Sequence, residues 1–253
     1  TAVSGAAAVE FKNVAFGYHK DKPAIENVSF SVKRGETVGI IGGTGSGKTT
    51  LVNLIPRFYD VTEGELLING NNVKDYPLEQ LRGKIGMVPQ RAVLFKGTVR
   101  SNMKWGKPDA TDEEIWQALE TAQAAEFVRK YPEGLDCPVE QGGRNFSGGQ
   151  RQRLTIARAV VMKPDILILD DSASALDYAT DAALRAALTR DIAHTSVFIV
   201  SQRASGIKHA DKIIVLDDGM IAGIGAHGEL FRYCQVYREI CLSQMSEQEA
   251  QNG

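Results

Sequence analysis

The sequence predicts an α/β fold, with a P-loop core, an antiparallel β layer beside it and a helical subdomain inserted into the core. Thr37 to Leu51, TVGIIGGTGSGKTTL, runs from a short apolar strand through a glycine-rich loop into the start of a helix. Asp165 to Asp171, DILILDD, is a continuous apolar run of the kind buried in a parallel sheet, and it ends in carboxylates. From Pro77 to Ala159 the strand signals give way to apolar residues at helical spacing.

Taken in order, the first eight residues, TAVSGAAA, are small and featureless and read as a linker or the remnant of a longer chain. VEFKNVAFGY from Val9, AIENVSFSV from Ala24 and GELLING from Gly64 alternate like strands between turn residues, which gives the antiparallel layer. Tyr18 closes the first of them. It reads equally as an aromatic that stacks on a base or as a half-buried strand residue. KRGE then turns the chain into the P-loop strand.

Gly42-x-x-x-x-Gly47-Lys48-Thr49 is a pattern with a mechanism. Its glycines let backbone N–H groups wrap a polyphosphate, Lys48 reaches the β and γ phosphates, and the Thr49 hydroxyl is placed for Mg2+. The helix start adds the positive end of a dipole. After KIGMVPQ, Ile115, Leu119, Ala122 and Phe127 take helical spacing until Pro132, Gly134 and Pro138 interrupt it. The core resumes at DILILDD. A helix carrying Leu184 and Leu188 on one face follows, then the strand SVFIVS and a hairpin, KIIVLDDGMIAGIG, around Asp218-Gly219. Gly228 to Met245 reads as one amphipathic helix, and SEQEAQNG as a disordered tail.

At 253 residues the chain is one large domain or a core with a subdomain. A net charge of -2 with 24% charged residues gives no basic field for nucleic acid. Cys137, Cys234 and Cys241 lack metal spacing and read as buried or partly buried thiols of a reducing compartment. No apolar run reaches the 18 or so residues of a membrane span and no signal peptide is seen, so a soluble, cytosolic domain is expected.

Two further motifs carry chemistry. Asp170 ends an apolar strand, where the companion carboxylate of a P-loop is expected for Mg2+. In NFSGGQRQR, Ser147-Gly148-Gly149 precedes a helix and offers N–H groups, a hydroxyl and a positive helix end. That reads as a second anion site, or as a glycine-rich turn that caps a helix. Because one P-loop already cradles one nucleotide's phosphates, a second site suggests service to another subunit's nucleotide.

With these residues in view, Val9 to about Ser243 resembles the nucleotide-binding domain of an ATP-binding-cassette (ABC) transporter. The resemblance implies a RecA-like core over about 9–88 and 160–228, a helical subdomain over about 89–159 and a C-terminal helix over about 228–245. It implies that Tyr18 stacks on adenine. The Walker A loop, Gly42, Gly43, Thr44, Gly45, Ser46, Gly47, Lys48 and Thr49, with Thr50 after it, would bind ATP. Thr49, Gln90 of the Q-loop and Asp170 of Walker B would hold Mg2+. Ser147, Gly148, Gly149 and Gln150 fit the signature, and Asp177 ends a D-loop. QRAVLFKGTVRSNMKWG and YPEGLDCPVEQGGRNFSGGQRQR resemble exporters, in which Glu140 falls in a loop facing the membrane domain. Two such domains sandwich two ATP molecules head to tail at the cytoplasmic face of the cell membrane. The implied partners are a second nucleotide-binding domain and a transmembrane domain outside this chain. ABC ATPases that act on DNA or ribosomes would carry coiled-coil insertions or basic patches not seen here.

The sequence departs from the family pattern at two positions in one half-site. Asp171 stands where active members carry the Glu that polarises the attacking water, and Gln202 stands where His contacts the γ-phosphate. Asp is one methylene shorter, and a misplacement of about 1 Å lowers rates on the order of a hundredfold. Gln donates a hydrogen bond but does not become cationic. The signature is intact apart from Phe146 in a position commonly Leu. The chain therefore resembles the half of a heterodimeric exporter whose own Walker site is weak in hydrolysis, with Asp171, Gln202 and Gln90 as its catalytic set. A homodimeric exporter with slow hydrolysis and a non-catalytic regulatory module are the alternatives.

Overall fold

The structure is a computed structural model that describes residues 5–19, 22–172 and 174–244. Residues 1–4 of the expected linker, Met245 of the expected C-terminal helix and the expected tail lie outside the described residues. Ala8 is described, and its N–H donates to Val32 O, so it already belongs to the β layer.

In chain order the elements begin with strands β1 (Val9–Phe16), β2 (Ile25–Val32) and β3 (Thr37–Gly42), helix α1 (Lys48–Leu54), strands β4 (Glu63–Ile68) and β5 (Asn71–Asn72), and helix α2 (Leu78–Arg82). Strands β6 (Ile85–Val88) and β7 (Gly97–Thr98) precede helices α3 (Val99–Gly106), α4 (Asp112–Thr121) and α5 (Ala125–Arg129). Then come β8 (Pro138–Val139), α6 (Gly148–Val160), β9 (Ile166–Asp170), α7 (Tyr178–Asp191) and β10 (Ser196–Val200). A hairpin of β11 (Lys212–Asp217) and β12 (Met220–Gly225) leads to α8 (His227–Tyr233) and α9 (Gln235–Gln244). The predicted α/β class is the observed one. The chain divides into two units, residues 1–85 with 196–253 and residues 86–195.

In the first unit β1 is the shared strand of an antiparallel sheet ordered β2-β1-β4-β5. Phe11 pairs with Phe30 and with Leu66, and the two phenyl rings stack at 4.5 Å on the buried face. The strand that carries the P-loop, β3, lies between β10 and β11 and runs parallel to both. Val38, Ile40 and Ile41 have no exposed surface, as a strand covered on both faces requires. Asp218 and Gly219 both take positive φ, the left-handed pair of a tight hairpin turn, as the Asp-Gly dipeptide predicts.

In the second unit α3 and α4 pack on the 13-residue α6, which buries Leu154, Ile156, Ala157 and Val160. Every residue of β9 is buried. The Phe146 ring packs at 6.1 Å from Phe127 and 5.9 Å from Tyr131, which accounts for an aromatic where Leu is common.

Two helical readings need correction. The C-terminal segment is two helices, because Cys234 takes an extended conformation between α8 and α9. Its side chain lies where a Cβ on Gly223 would come within 3.0 Å of Sγ, so packing against β12 sets the break. Likewise Phe127 lies in α5, separated from the face of Ile115 and Leu119 in α4 by Gln123 at φ 59. All three cysteines are free and buried, as expected.

Candidate functional site

The P-loop is shaped by what its glycines permit. A Cβ on Gly42 would lie 2.3 Å from Leu216 O and 2.4 Å from Ser46 Oγ, so only glycine lets the loop fold over β11. Gly45 and Gly47 have φ of 78° and 100°, the left-handed region that glycine enters without strain. Around the Cβ positions of Gly43 and Gly45 the space is open. Lys48 is 8% exposed, and its ammonium lies within the loop and donates to Gly42 O at 2.9 Å and Gly43 O at 2.7 Å. A cation enclosed by an open, glycine-lined backbone fits a polyphosphate. The hairpin turn braces this loop: Gly219 N–H donates to Ser46 O and Gly219 O accepts from Glu26 N–H. Nothing in the sequence pattern announces that role for Gly219.

Tyr18 stands half exposed beyond the end of β1, and its hydroxyl is 3.1 Å from Thr50 Oγ1 in the first turn of α1. Gln202 is exposed, in a turn after β10 whose backbone is gripped by α9. Gln244 Nε2 donates to Gln202 O at 2.7 Å, and Gln244 Oε1 accepts from Ala204 N–H at 2.9 Å. Tyr18, the P-loop, Thr49, Thr50 and Gln202 all belong to the first unit.

In the second unit Gln90 follows β6, and its Nε2 donates to Asp171 Oδ2 at 3.4 Å. Asp170 is 3% exposed at the end of β9. Asp171 takes φ 47, a left-handed position that Asp tolerates better than a longer or branched side chain. Ser147 caps α6 in a reciprocal box: Gln150 N–H donates to Ser147 Oγ at 3.2 Å and Ser147 N–H to Gln150 Oε1 at 3.0 Å. The glycine-rich turn therefore does cap its helix. A Cβ on Gly149 would meet Ala175 O at 3.1 Å, which keeps that position small. Asp177 caps α7 through Thr180 N–H at 2.9 Å and Thr180 Oγ1 at 2.8 Å, and these bonds hold its carboxyl below the usual range.

Beside the signature, Gln90, Arg91, Arg144, Gly148, Arg151 and Gln152 line a cavity of about 720 Å³. Gln152 is 3% exposed, and its Nε2 has no hydrogen-bond partner among the described residues. Three guanidinium groups and an unpartnered buried amide favour an anionic or acceptor group. The motif reading named Gln90 and Gly148 but missed Arg91, Arg144, Arg151 and Gln152, which come from the loop after β6, the loop before α6 and the first turns of α6 itself. Among the described residues no group of three or more His, Cys, Asp or Glu could hold a metal by itself. No described helix is long and apolar enough to cross a membrane.

A glycine-cradled lysine behind a buried parallel strand, together with a capped signature helix and a strand ending in Asp170, defines a P-loop nucleotide-binding domain. The chain belongs to the ABC transporter family, whose sequence model matches residues 25–174, and this is the family's domain that binds ATP with Mg2+. It is 48% identical over 92% of its length to a Bacillus subtilis (strain 168) protein named "Putative multidrug export ATP-binding/permease protein YgaD", covering 40% of that protein. It is 45% identical over 95% of its length to the "Uncharacterized ABC transporter ATP-binding protein YfiB" of the same strain, covering 42%. A solved structure described as a bacterial Atm1-family ABC exporter with ATP bound superposes with TM-score 0.91 at 37% identity, covering 97% of this chain and 43% of that one. The chain thus spans less than half the length of the relatives it matches.

Proposed function

We propose that this chain is the ATP-binding domain of an ABC exporter, coupled to a transmembrane domain at the cytoplasmic face of the membrane, and that it is the half whose own Walker site hydrolyses ATP poorly. The observation that carries the reading is the pairing of two departures, Asp171 and Gln202, with an intact, capped signature at Ser147. The exporter assignment is supported by the export function in the name of YgaD and by the Atm1-family exporter structure.

Each role is assigned to this chain's own groups. Lys48 Nζ and the backbone of Gly42 to Thr50 bind the ATP phosphates, and Tyr18 stacks on the base. Thr49, Gln90 and Asp170 would hold Mg2+, which neutralises charge on the phosphate oxygens when bound. Asp171 is the carboxylate that orients the attacking water. Its Cβ-linked carboxylate, shorter than that of Glu and already accepting from Gln90, supports a slow step. Gln202 donates a hydrogen bond to the γ-phosphate but shuttles no proton. Ser147, Gly148, Gly149 and Gln150, with Asp177, complete the site of a second, non-identical nucleotide-binding domain. The arginine-lined cavity beside the signature supports an anion there. ATP at Lys48 then acts mainly as a clamp, and turnover occurs at the site that Ser147 completes.

Steady-state ATP turnover of the chain, compared with Asp171→Glu plus Gln202→His, tests this reading. Expected is a rise on the order of tenfold or more for the double variant. No gain would place the defect elsewhere and favour a regulatory module.

A further inference from the structure

The Tyr18 ring projects past the end of a strand and needs something to set its plane. Just before it, a Cβ on Gly17 would lie 2.8 Å from Lys22 O and 2.9 Å from His19 O, so the backbone is closely packed there and only glycine fits. Support comes from two other rings and one hydroxyl. Phe16 lies 4.9 Å away at an interplanar angle of 84°, and Tyr59 lies 5.2 Å away at 86°. Phe16 and Tyr59 also meet each other, at 5.2 Å. Two perpendicular neighbours together with the Thr50 hydroxyl define both the tilt and the reach of Tyr18.

Phe16 is buried and anchored by the β layer, whereas Tyr59 is 42% exposed and sits in the turn after α1. That turn is held from outside. Arg82 of α2 donates to Pro56 O and Arg57 O, both at 3.1 Å, and its guanidinium lies 5.4 Å from the Phe58 ring centroid. Its ring is therefore presented to Tyr18 from a constrained backbone.

We infer that Tyr59 is a positioning residue for the nucleotide base, setting the ring plane on which Tyr18 stacks adenine while Thr50 ties that ring to the phosphate-binding helix. The inference rests on the reading that Tyr18 stacks on the base. It assigns Tyr59 a share of base affinity and none of the phosphate affinity.

Calorimetric titration of the whole chain with MgATP and, separately, with inorganic tripolyphosphate tests it. Tyr59→Leu should weaken MgATP about three- to tenfold, the range of one aromatic pair, with tripolyphosphate affinity unchanged. Tyr59→Phe, which keeps the ring, should bind MgATP like the unmodified chain. In a Tyr18→Leu background, Tyr59→Leu should cause no further loss. Unchanged MgATP affinity in Tyr59→Leu, equal losses for both ligands, or a full additional loss in the double variant would overturn the inference. Unchanged MgATP affinity in Tyr18→Leu would instead overturn the stacking reading on which it rests. Both substituted side chains are about half exposed, and thermal melts without nucleotide establish that the variants fold.

Discussion

Lys48 is the residue on which nucleotide affinity depends most directly. Its ammonium is enclosed by Gly42 O, Gly43 O and Ser46 Oγ, so a bound phosphate meets a desolvated, preorganised donor. Lys48→Ala should lower ATP affinity by on the order of a hundredfold or more, since hydrogen bonds to a charged group each contribute about 1.5–3 kcal/mol. Equilibrium binding of labelled ATP checks this, and unchanged affinity would remove Lys48 from the site. Residues such as Lys48, Thr49 and Asp170 are legible because their chemistry is written in short local patterns. Gly219, Tyr59 and Gln244 are not, because each touches residues distant in sequence, and Gln152 is not, because its buried, unpartnered amide is evident only in the fold.

At the scale of elements, α4 shows how one carboxylate ties several segments together. Glu114 accepts from Thr111 N–H at the start of that helix, from Lys107 at 2.7 Å and from Lys163 at 2.8 Å. Lys107, Lys163 and the Thr111 N–H together pull its carboxyl down to about 2. A lowered carboxyl contributes stability that is complete above its ordinary value near 4.5 and is lost as pH falls from there toward 2. Urea midpoints between pH 7 and pH 2.5 should therefore fall less steeply for Glu114→Gln than for the unmodified chain, and equal slopes would show that Glu114 is not coupled to folding. The elements themselves were largely readable. Strand, glycine loop and helix around the P-loop follow from composition and spacing, and the Asp-Gly hairpin follows from turn chemistry. The break between α8 and α9 was hidden because neither Gly nor Pro marks it. It comes from Cys234 packing under β12, a tertiary cause that no helical periodicity reports.

At the scale of the whole molecule, the proposed pairing of two unequal halves is tested by comparing two variants. In an assembled heterodimer Ser147→Ala should lower turnover more than Asp171→Asn, because on the proposed reading the first substitution strikes the site that turns over. Ser147 also caps α6, and losing such a cap costs a helix about 1 kcal/mol, so melts of both variants are needed beside the rates. The reverse order would end the unequal-halves reading. The grip of Gln244 on Gln202 O and Ala204 N–H has a practical consequence for every such assay. Gln244 lies in the final described turn of α9, so that turn and the backbone that carries Gln202 are held together. Substitutions at Gln244 therefore bear on the turn that carries Gln202, and rate comparisons between variants belong on chains that keep this side chain.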